Sequence, residues 1–180
     1  PKIKGIFNKY SLTKGVVMAS DFLMSLHINR QSNFLETIVN SPVYILGCGL
    51  TAIDVACEVR ELLKKFGKKV DVKILYYQDF TKSSSYNINH FEFQKALEQG
   101  VEIIQNVEIS EIKKNNEQIS QIILSSGEVL DCKLLIIAIG TKPNISHASD
   151  FVWKDFNNDD VSFFGDCNPQ YTGSVVNALA

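Results

Sequence analysis

The stretch that decides the fold is residues 43–54, which read VYILGCGLTAID. An apolar run ends in a glycine turn, and the turn opens into a helix-like segment that reaches Phe66. Gly47 allows a tight turn at the strand end, Gly49 allows backbone to approach a pyrophosphate, and Ala52 permits close packing of helix on strand. The unpaired N–H groups at a helix N-terminus attract such an anion. We therefore predict a dinucleotide-binding turn, with a tight turn whose glycines serve packing alone as the alternative.

The composition bounds the class of protein. Of 180 residues, 45% are hydrophobic and 21% are charged, which is enough apolar material for a folded core. The net charge of −2 provides no basic field for nucleic acid, and no apolar run approaches the roughly 18 residues of a membrane span. The cysteines and histidines are scattered, without a CxxC pair or zinc spacing. We therefore expect a cytoplasmic protein with no metal site and with neither nucleic acid nor membrane as a partner.

Hydrophobic periodicity predicts alternating strands and helices around the glycine turn. The expected elements are an amphipathic helix over 13–29, a strand over 70–77, a helix over 91–99, a strand over 101–104, short strands over 107–112, 119–124 and 128–130, and a buried strand over 134–140. The three short strands, separated by turn residues, form an antiparallel meander. The predicted fold class is therefore α/β: a Rossmann-like domain with a parallel sheet flanked by helices, plus the three-stranded meander.

Four sequence blocks share the order and spacing of one known superfamily. They are GVVMASDFL at 15–23, GCGLTAID at 47–54, IGTKPN at 139–144, and FGD at 164–166 followed by GSVVNA at 173–178. Together they resemble the FAD-dependent pyridine nucleotide–disulfide oxidoreductases, and within these the small (β) subunit of glutamate synthase. The resemblance implies an NAD(P)H-binding domain that positions nicotinamide for hydride transfer to flavin.

The same resemblance implies two sets of cofactor-binding residues and no catalytic side chain. The NAD(P)H set is Gly47, Cys48, Gly49, Leu50, Thr51, Asp54, Tyr77, Gln78 and Gly140. The set from the FAD domain is Gly165, Asp166, Ser174 and Val175. Asp166 would bond a ribityl hydroxyl of the flavin, and the N–H groups near Ser174 and Val175 would face its pyrimidine edge. Leu50 departs from the Asn or Asp usual in the glutamate synthase branch.

Asp54 has two interpretations. Relatives place an acidic residue in the first turn of this helix, near the nicotinamide carboxamide. Alternatively, Asp54 is a helix-start acid that the dipole favours, without a role in binding.

The resemblance also implies a domain organisation. Residues 1–40 would be a connector and helix from the FAD-domain side, 41–145 the NAD(P)H-binding domain, and 146–180 a return into an incomplete FAD-binding domain. The first GxGxxG of the family, which binds the ADP half of FAD, is absent from this chain. We therefore expect FAD in the full-length protein but not on this fragment, which would be inactive alone. Its partners would be the missing FAD-binding portion and an unknown electron-acceptor domain or subunit.

The end of the second predicted strand bears on the choice between NADH and NADPH. The 2′-phosphate of NADP needs cations there, and the glutamate synthase branch has an Arg-Arg pair. This chain has Tyr77 and Gln78, followed by Asp79, which could accept bonds from ribose hydroxyls and would repel a phosphate. Lys82 could substitute for the arginines, but it lies further into the loop. We predict NADH over NADPH. A non-catalytic nucleotide-binding or interaction module that has lost turnover remains the alternative function.

Overall fold

The computed structural model describes residues 13–27, 41–82, 86 and 90–140. All of them belong to one unit, which ends at Gly140. The predicted FAD-domain residues Gly165, Asp166, Ser174 and Val175, and the predicted segment 146–180, lie outside the described residues.

A five-stranded parallel sheet forms the centre of this unit. Its strands, given in their spatial order, are β1 (Val16–Met18), β8 (Leu134–Ile137), β2 (Val43–Leu46), β3 (Val72–Leu75) and β4 (Val101–Ile104). Every neighbouring pair is parallel. All residues of β2 and β8 are buried, as expected for central strands of a parallel sheet that is covered on both faces.

One face of the sheet is covered by helices. These are α1 (Ala19–His27), α2 (Leu50–Lys65) and α3 (His90–Glu98), and a short 3-10 helix spans Phe80–Lys82. Phe22 of α1, Val59 of α2 and Phe93 of α3 are fully buried in one core with Ile45 of β2. Apolar positions spaced three and four residues apart on α2 give it the stripe that packs on the sheet.

The opposite face is covered by an antiparallel sheet of three strands, β5 (Ile109–Asn115), β6 (Gln118–Leu124) and β7 (Val129–Asp131). Its buried residues, such as Ile119 and Ile122, form a second core with Tyr44 of β2 and Leu135 of β8. Successive side chains of a strand point to opposite faces, so β2 and β8 contribute to both cores. The predicted α/β class and the predicted meander are confirmed.

The helix predicted over 13–29 is wrong in its first part. Residues 16–18 are an edge strand, and α1 begins only at Ala19. The Leu135 amide donates to the Gly15 carbonyl at 2.8 Å, and Val16 is in register with Leu135. The partner strand β8 thus provides hydrogen bonds that override the helical periodicity of the local sequence. Segment 13–27 lies in the same sheet and core as residues 41–140, and its role as a connector in the full-length protein stays a prediction.

Candidate functional site

The carboxyl ends of the central strands define the candidate site. Leu46 of β2 is in register with Leu75 of β3 on one side and with Ile137 of β8 on the other. From β2 the chain proceeds outward to β3 and β4, whereas β8 lies on the opposite side of β2. This is the topological switch point, where the ends of neighbouring strands leave a crevice and ligands of open α/β sheets bind.

The glycine turn begins at this point. Gly47 has a φ of +118°, and its amide donates to the Leu75 carbonyl at 3.0 Å. A Cβ added to Gly47 would collide with the carbonyl oxygen of Ala138, directly after β8. The Ala138 amide in turn donates to the Leu46 carbonyl at 2.8 Å. Only glycine meets both the dihedral angle and the close approach, so the turn is held by both neighbouring strands.

Gly49 occupies a different environment. It is the N-cap of α2, with φ −87° and ψ 179°, and no side chain caps the helix there. Its carbonyl accepts from the amides of Ala52 and Ile53, at 3.0 and 3.2 Å. A Cβ added to Gly49 would meet no atom within 4 Å. Open space in front of a helix start whose first amides have no intrahelical acceptors fits an anion such as a pyrophosphate.

Cys48 contributes its backbone to this turn and its side chain to the core. The thiol is 3% exposed and belongs to the helix-side core. Burial raises its pKa to about 12, so it remains protonated at neutral pH. A protonated, buried thiol is not a nucleophile. Within the turn, Leu50 is half-buried and Thr51 is exposed.

Asp54 lies in the second turn of α2, so its predicted place in the first turn is wrong. Its pKa is raised, first by burial and then by Glu92 of α3, while Lys95 acts in the opposite direction. The interpretation of Asp54 as a helix-start acid that the dipole favours stays a prediction. The predicted contact with nicotinamide stays a prediction.

The exit of β3 lies at the same edge of the sheet. The Tyr76 amide donates to the Ile104 carbonyl at 2.9 Å, and the Val107 amide donates to the Tyr76 carbonyl at 3.0 Å. Tyr77 is 48% exposed, and its ring packs edge-on to the Tyr76 ring with centroids 5.0 Å apart. Gln78 is also exposed. The predicted residues at the end of β3 therefore share an edge with the glycine turn, on a backbone fixed to β4.

Gly140 follows β8 at this edge, two residues after Ala138. It is exposed, has a φ of +90°, and a Cβ there would meet no atom within 4 Å. The predicted NAD(P)H-binding residues other than Asp54 thus all lie at or just beyond the carboxyl ends of β2, β3 and β8.

The sequence interpretation missed a local hydrogen-bonded turn after Gln78. The Asp79 carboxylate accepts from the amide of Thr81 at 3.0 Å and from its hydroxyl at 2.7 Å. The Lys82 ammonium lies 3.5 Å from the same carboxylate. Asp followed two residues later by Thr is the signal for an Asx turn, so the sequence did contain this information.

An aromatic cluster follows that turn. Phe80 stacks on Phe93 of α3, with ring centroids 5.8 Å apart. The Tyr86 ring packs edge-on to Phe80, Phe93 and His90, at 5.2, 5.4 and 5.0 Å. These contacts attach the segment after β3 to α3.

The amino end of the sheet carries a separate feature. An open depression of about 1130 Å³ lies around the C-terminus of α2 and is lined by both basic and acidic residues, among them Arg60, Lys64 and Glu98. The Arg60 guanidinium donates to the carbonyls of Gln99 and Val70, at 2.8 and 3.1 Å. The Arg60 guanidinium is therefore hydrogen-bonded near the C-terminus of α2, away from the glycine turn.

No helix in the described ranges is long and apolar enough to cross a bilayer. The described histidines, cysteines and acidic residues form no group of three or more that could hold a metal ion.

The parallel sheet, the glycine turn at its switch point and the antiparallel meander define a Rossmann-like α/β domain. The chain belongs to the pyridine nucleotide-disulphide oxidoreductase family, whose model matches residues 13–180. Members of this family are FAD-dependent oxidoreductases. The predicted superfamily is thereby confirmed.

The chain is also similar to a curated protein and to solved structures. An uncharacterized protein of Rickettsia prowazekii is 26% identical, and the match covers 99% of this chain and 34% of that protein. The covalent putidaredoxin reductase–putidaredoxin complex is similar with a TM-score of 0.56 at 18% identity, covering 77% of this chain and 31% of that one. An FAD-dependent pyridine nucleotide-disulphide oxidoreductase from Desulfovibrio vulgaris gives 0.52 at 17% identity, covering 78% and 34%. The two structural likenesses show the fold, and the chain spans about a third of each of these proteins.

Proposed function

We propose that this chain is the NAD(P)H-binding part of a larger FAD-dependent oxidoreductase that positions nicotinamide for hydride transfer to flavin. The observation that carries the proposal is the glycine turn. Gly47 is held against β8 at the switch point, and Gly49 leaves open space before the bare start of α2. This arrangement suits a dinucleotide pyrophosphate.

The chain's own residues would bind and orient the cofactor. Nicotinamide supplies the hydride when it is bound, and the protein supplies position and electrostatics. Amides of Leu50 and Thr51 at the start of α2 would donate to the pyrophosphate. Tyr77 and Gln78, exposed at the end of β3, would face the adenosine half. Gly140, exposed beyond β8, would leave room for the nicotinamide half.

We propose NADH as the preferred nucleotide. The arginines of the chain are Arg30 and Arg60. Arg30 lies outside the described residues, and Arg60 is bound to carbonyls at the far end of α2. The end of β3 carries Asp79, whose negative charge opposes a 2′-phosphate.

We further propose features of a longer protein to which this chain would belong. We infer that it resembles the small subunit of glutamate synthase, on the basis of the four sequence blocks. FAD would bind with a portion of the protein beyond the NAD(P)H-binding part, and an electron-acceptor domain or subunit would complete the enzyme. A cytoplasmic location is proposed from the scattered cysteines.

A non-catalytic nucleotide-binding or interaction module is the second candidate. Leu50 favours it, because this apolar residue stands at the first position of α2, where the branch that the sequence resembles has Asn or Asp.

The direct test is titration of the 180-residue chain with NADH and with NADPH by calorimetry. We expect saturable binding of NADH. Gly49→Val is the matched variant, because its Cβ would meet no atom within 4 Å and its φ of −87° is accessible to any residue. This variant should weaken NADH binding by about tenfold or more while the melting temperature is unchanged. No binding by the parent chain, or unaltered binding by Gly49→Val, would contradict the proposal.

Full-length protein separates the two candidate functions. An oxidoreductase should bind FAD and show NADH-dependent bleaching of the flavin absorbance. A non-catalytic module would bind NADH without reducing flavin.

A further inference from the structure

The segment after β3, residues 76–82, has a conformation set by the fold. The Val107 amide donates to the Tyr76 carbonyl at 3.0 Å, and the Phe80 amide donates to the Gln105 side-chain oxygen at 3.1 Å. The Phe80 ring stacks on Phe93. The segment is therefore attached both to the exit of β4 and to α3, beside the end of the sheet where the glycine turn lies.

Asp79 is engaged within this segment. One carboxylate oxygen accepts from the amide and the hydroxyl of Thr81, at 3.0 and 2.7 Å. The other oxygen lies 3.5 Å from the Lys82 ammonium, and the Lys82 amide donates to the Asp79 carbonyl at 3.2 Å. The Thr81 hydroxyl is the first cause of a lowered pKa for Asp79, so the carboxylate is charged at neutral pH. These partners of the Asp79 carboxylate are its neighbours in the sequence.

Lys82 is the one cation in residues 76–82. Its side chain is 82% exposed, so it could reach an anion in solvent if Asp79 released it. Arg60 is not an alternative, because its guanidinium is bound to the Gln99 and Val70 carbonyls. The ion pair with Asp79 therefore neutralises the positive charge of Lys82, which a 2′-phosphate would need.

We propose that Asp79 sets the preference for NADH indirectly, by holding Lys82 in a local ion pair at the end of β3. In this arrangement Asp79 is a positioning residue rather than a ribose ligand, because Thr81 and Lys82 occupy its carboxylate. Removal of the carboxylate frees Lys82 to meet a 2′-phosphate. This inference rests on the proposed function, and it adds the residue pair that determines nucleotide selectivity.

The test is a double-mutant cycle read as the ratio of the dissociation constants for NADPH and NADH. Asp79→Asn should tighten NADPH binding by about fivefold, the upper range for an exposed ion pair, with NADH changed less than about twofold. In the double variant that combines Asp79→Asn with Lys82→Gln, this gain in NADPH affinity should disappear. Lys82→Gln alone should not tighten NADPH binding relative to NADH, because it removes the cation and leaves the Asp79 carboxylate. High salt should abolish the gain in Asp79→Asn, because an exposed ammonium–phosphate contact is screened.

Asp71→Asn is the matched control. It removes the same charge at the amino end of β3, remote from the glycine turn, and should leave the ratio unchanged. If Asp79→Asn binds NADH with an unaltered ratio, or if the gain survives in the double variant, this inference is overturned and the proposed function stands. If the parent chain binds neither nucleotide, the proposed function fails and this inference fails with it.

Discussion

Gly47 contacts the backbone of Ala138, so that the glycine turn after β2 packs directly on the chain leaving β8. These two residues are far apart in the sequence and are brought together by the parallel pairing of β2 with β8. The contact fixes the turn that the proposed function requires, and it separates the roles of the two glycines. Gly47 is needed by the fold, whereas Gly49 borders open space.

We expect Gly47→Ala to destabilise the protein by about 3–4 kcal/mol, because it adds a steric collision to an unfavourable dihedral angle. Gly140→Ala is the control, since Gly140 has a φ of +90° but open surroundings. That variant should cost only about 1–2 kcal/mol, the backbone contribution. Urea denaturation measures both. Equal losses of the free energy of unfolding in the two variants would show that the contact with Ala138 contributes nothing to the cost of Gly47→Ala.

Gly15 is expected to hold β1 against the meander. A Cβ there would collide with the Lys133 carbonyl and the Gln118 amide group. Gly15→Ala should therefore speed hydrogen exchange at the Leu135 amide, which donates to the Gly15 carbonyl, while amides between β2 and β3 stay protected. Gly127→Ala, at a φ of +89° in open surroundings, is the control. Loss of protection throughout the sheet would contradict a local role.

The buried thiols predict a loss of stability at alkaline pH. Burial raises the pKa of Cys48 and of Cys132 to about 12. The unfolded chain would release these protons near pH 8.5, so between the two pKa values the folded state binds more protons. The free energy of unfolding should therefore fall from about pH 8.5 up to pH 12, by as much as about 1.4 kcal/mol per pH unit for each thiol.

Urea denaturation of the parent chain and of Cys48→Ala across this pH range measures the thiol contribution. The variant should show a shallower loss above pH 8.5. Parallel curves would mean that the Cys48 thiol ionises equally in both states.

The folded protein should be less stable when Asp54 is charged than when Asp54 is neutral. Burial and Glu92 raise its pKa in the folded state, so its contribution is most favourable when protonated and is lost as pH rises through the folded pKa. Asp54→Asn is expected to raise the free energy of unfolding at pH 7 and not at pH 3. Glu92→Gln should lower the pKa of Asp54 in an NMR titration, since it removes the neighbouring negative charge. An unshifted titration would contradict an electrostatic influence of Glu92 on Asp54.

Much of the fold was predictable because its signals are local. The apolar run of β2, the glycines after it and the stripe of α2 lie within one continuous stretch, and the alternating pattern of the meander is likewise short-range. The residues named for the NAD(P)H site were implied by the family resemblance rather than by these local signals. The Asp79 turn was also within reach of sequence rules. The ion pair between Asp79 and Lys82 depends on side-chain positions and could not be predicted from the sequence.

The sequence by itself determined the glycine turn, the order of strands and helices from β2 onward and the α/β class, because side-chain periodicity and backbone freedom act over a few residues. Only the tertiary structure decided that residues 16–18 are a strand, since their partner β8 lies more than a hundred residues later. It also decided that Asp54 is influenced by Glu92 of α3 and that Gly47 packs on Ala138. Contacts between distant segments form only when the chain has folded, and their energies then outweigh local preference.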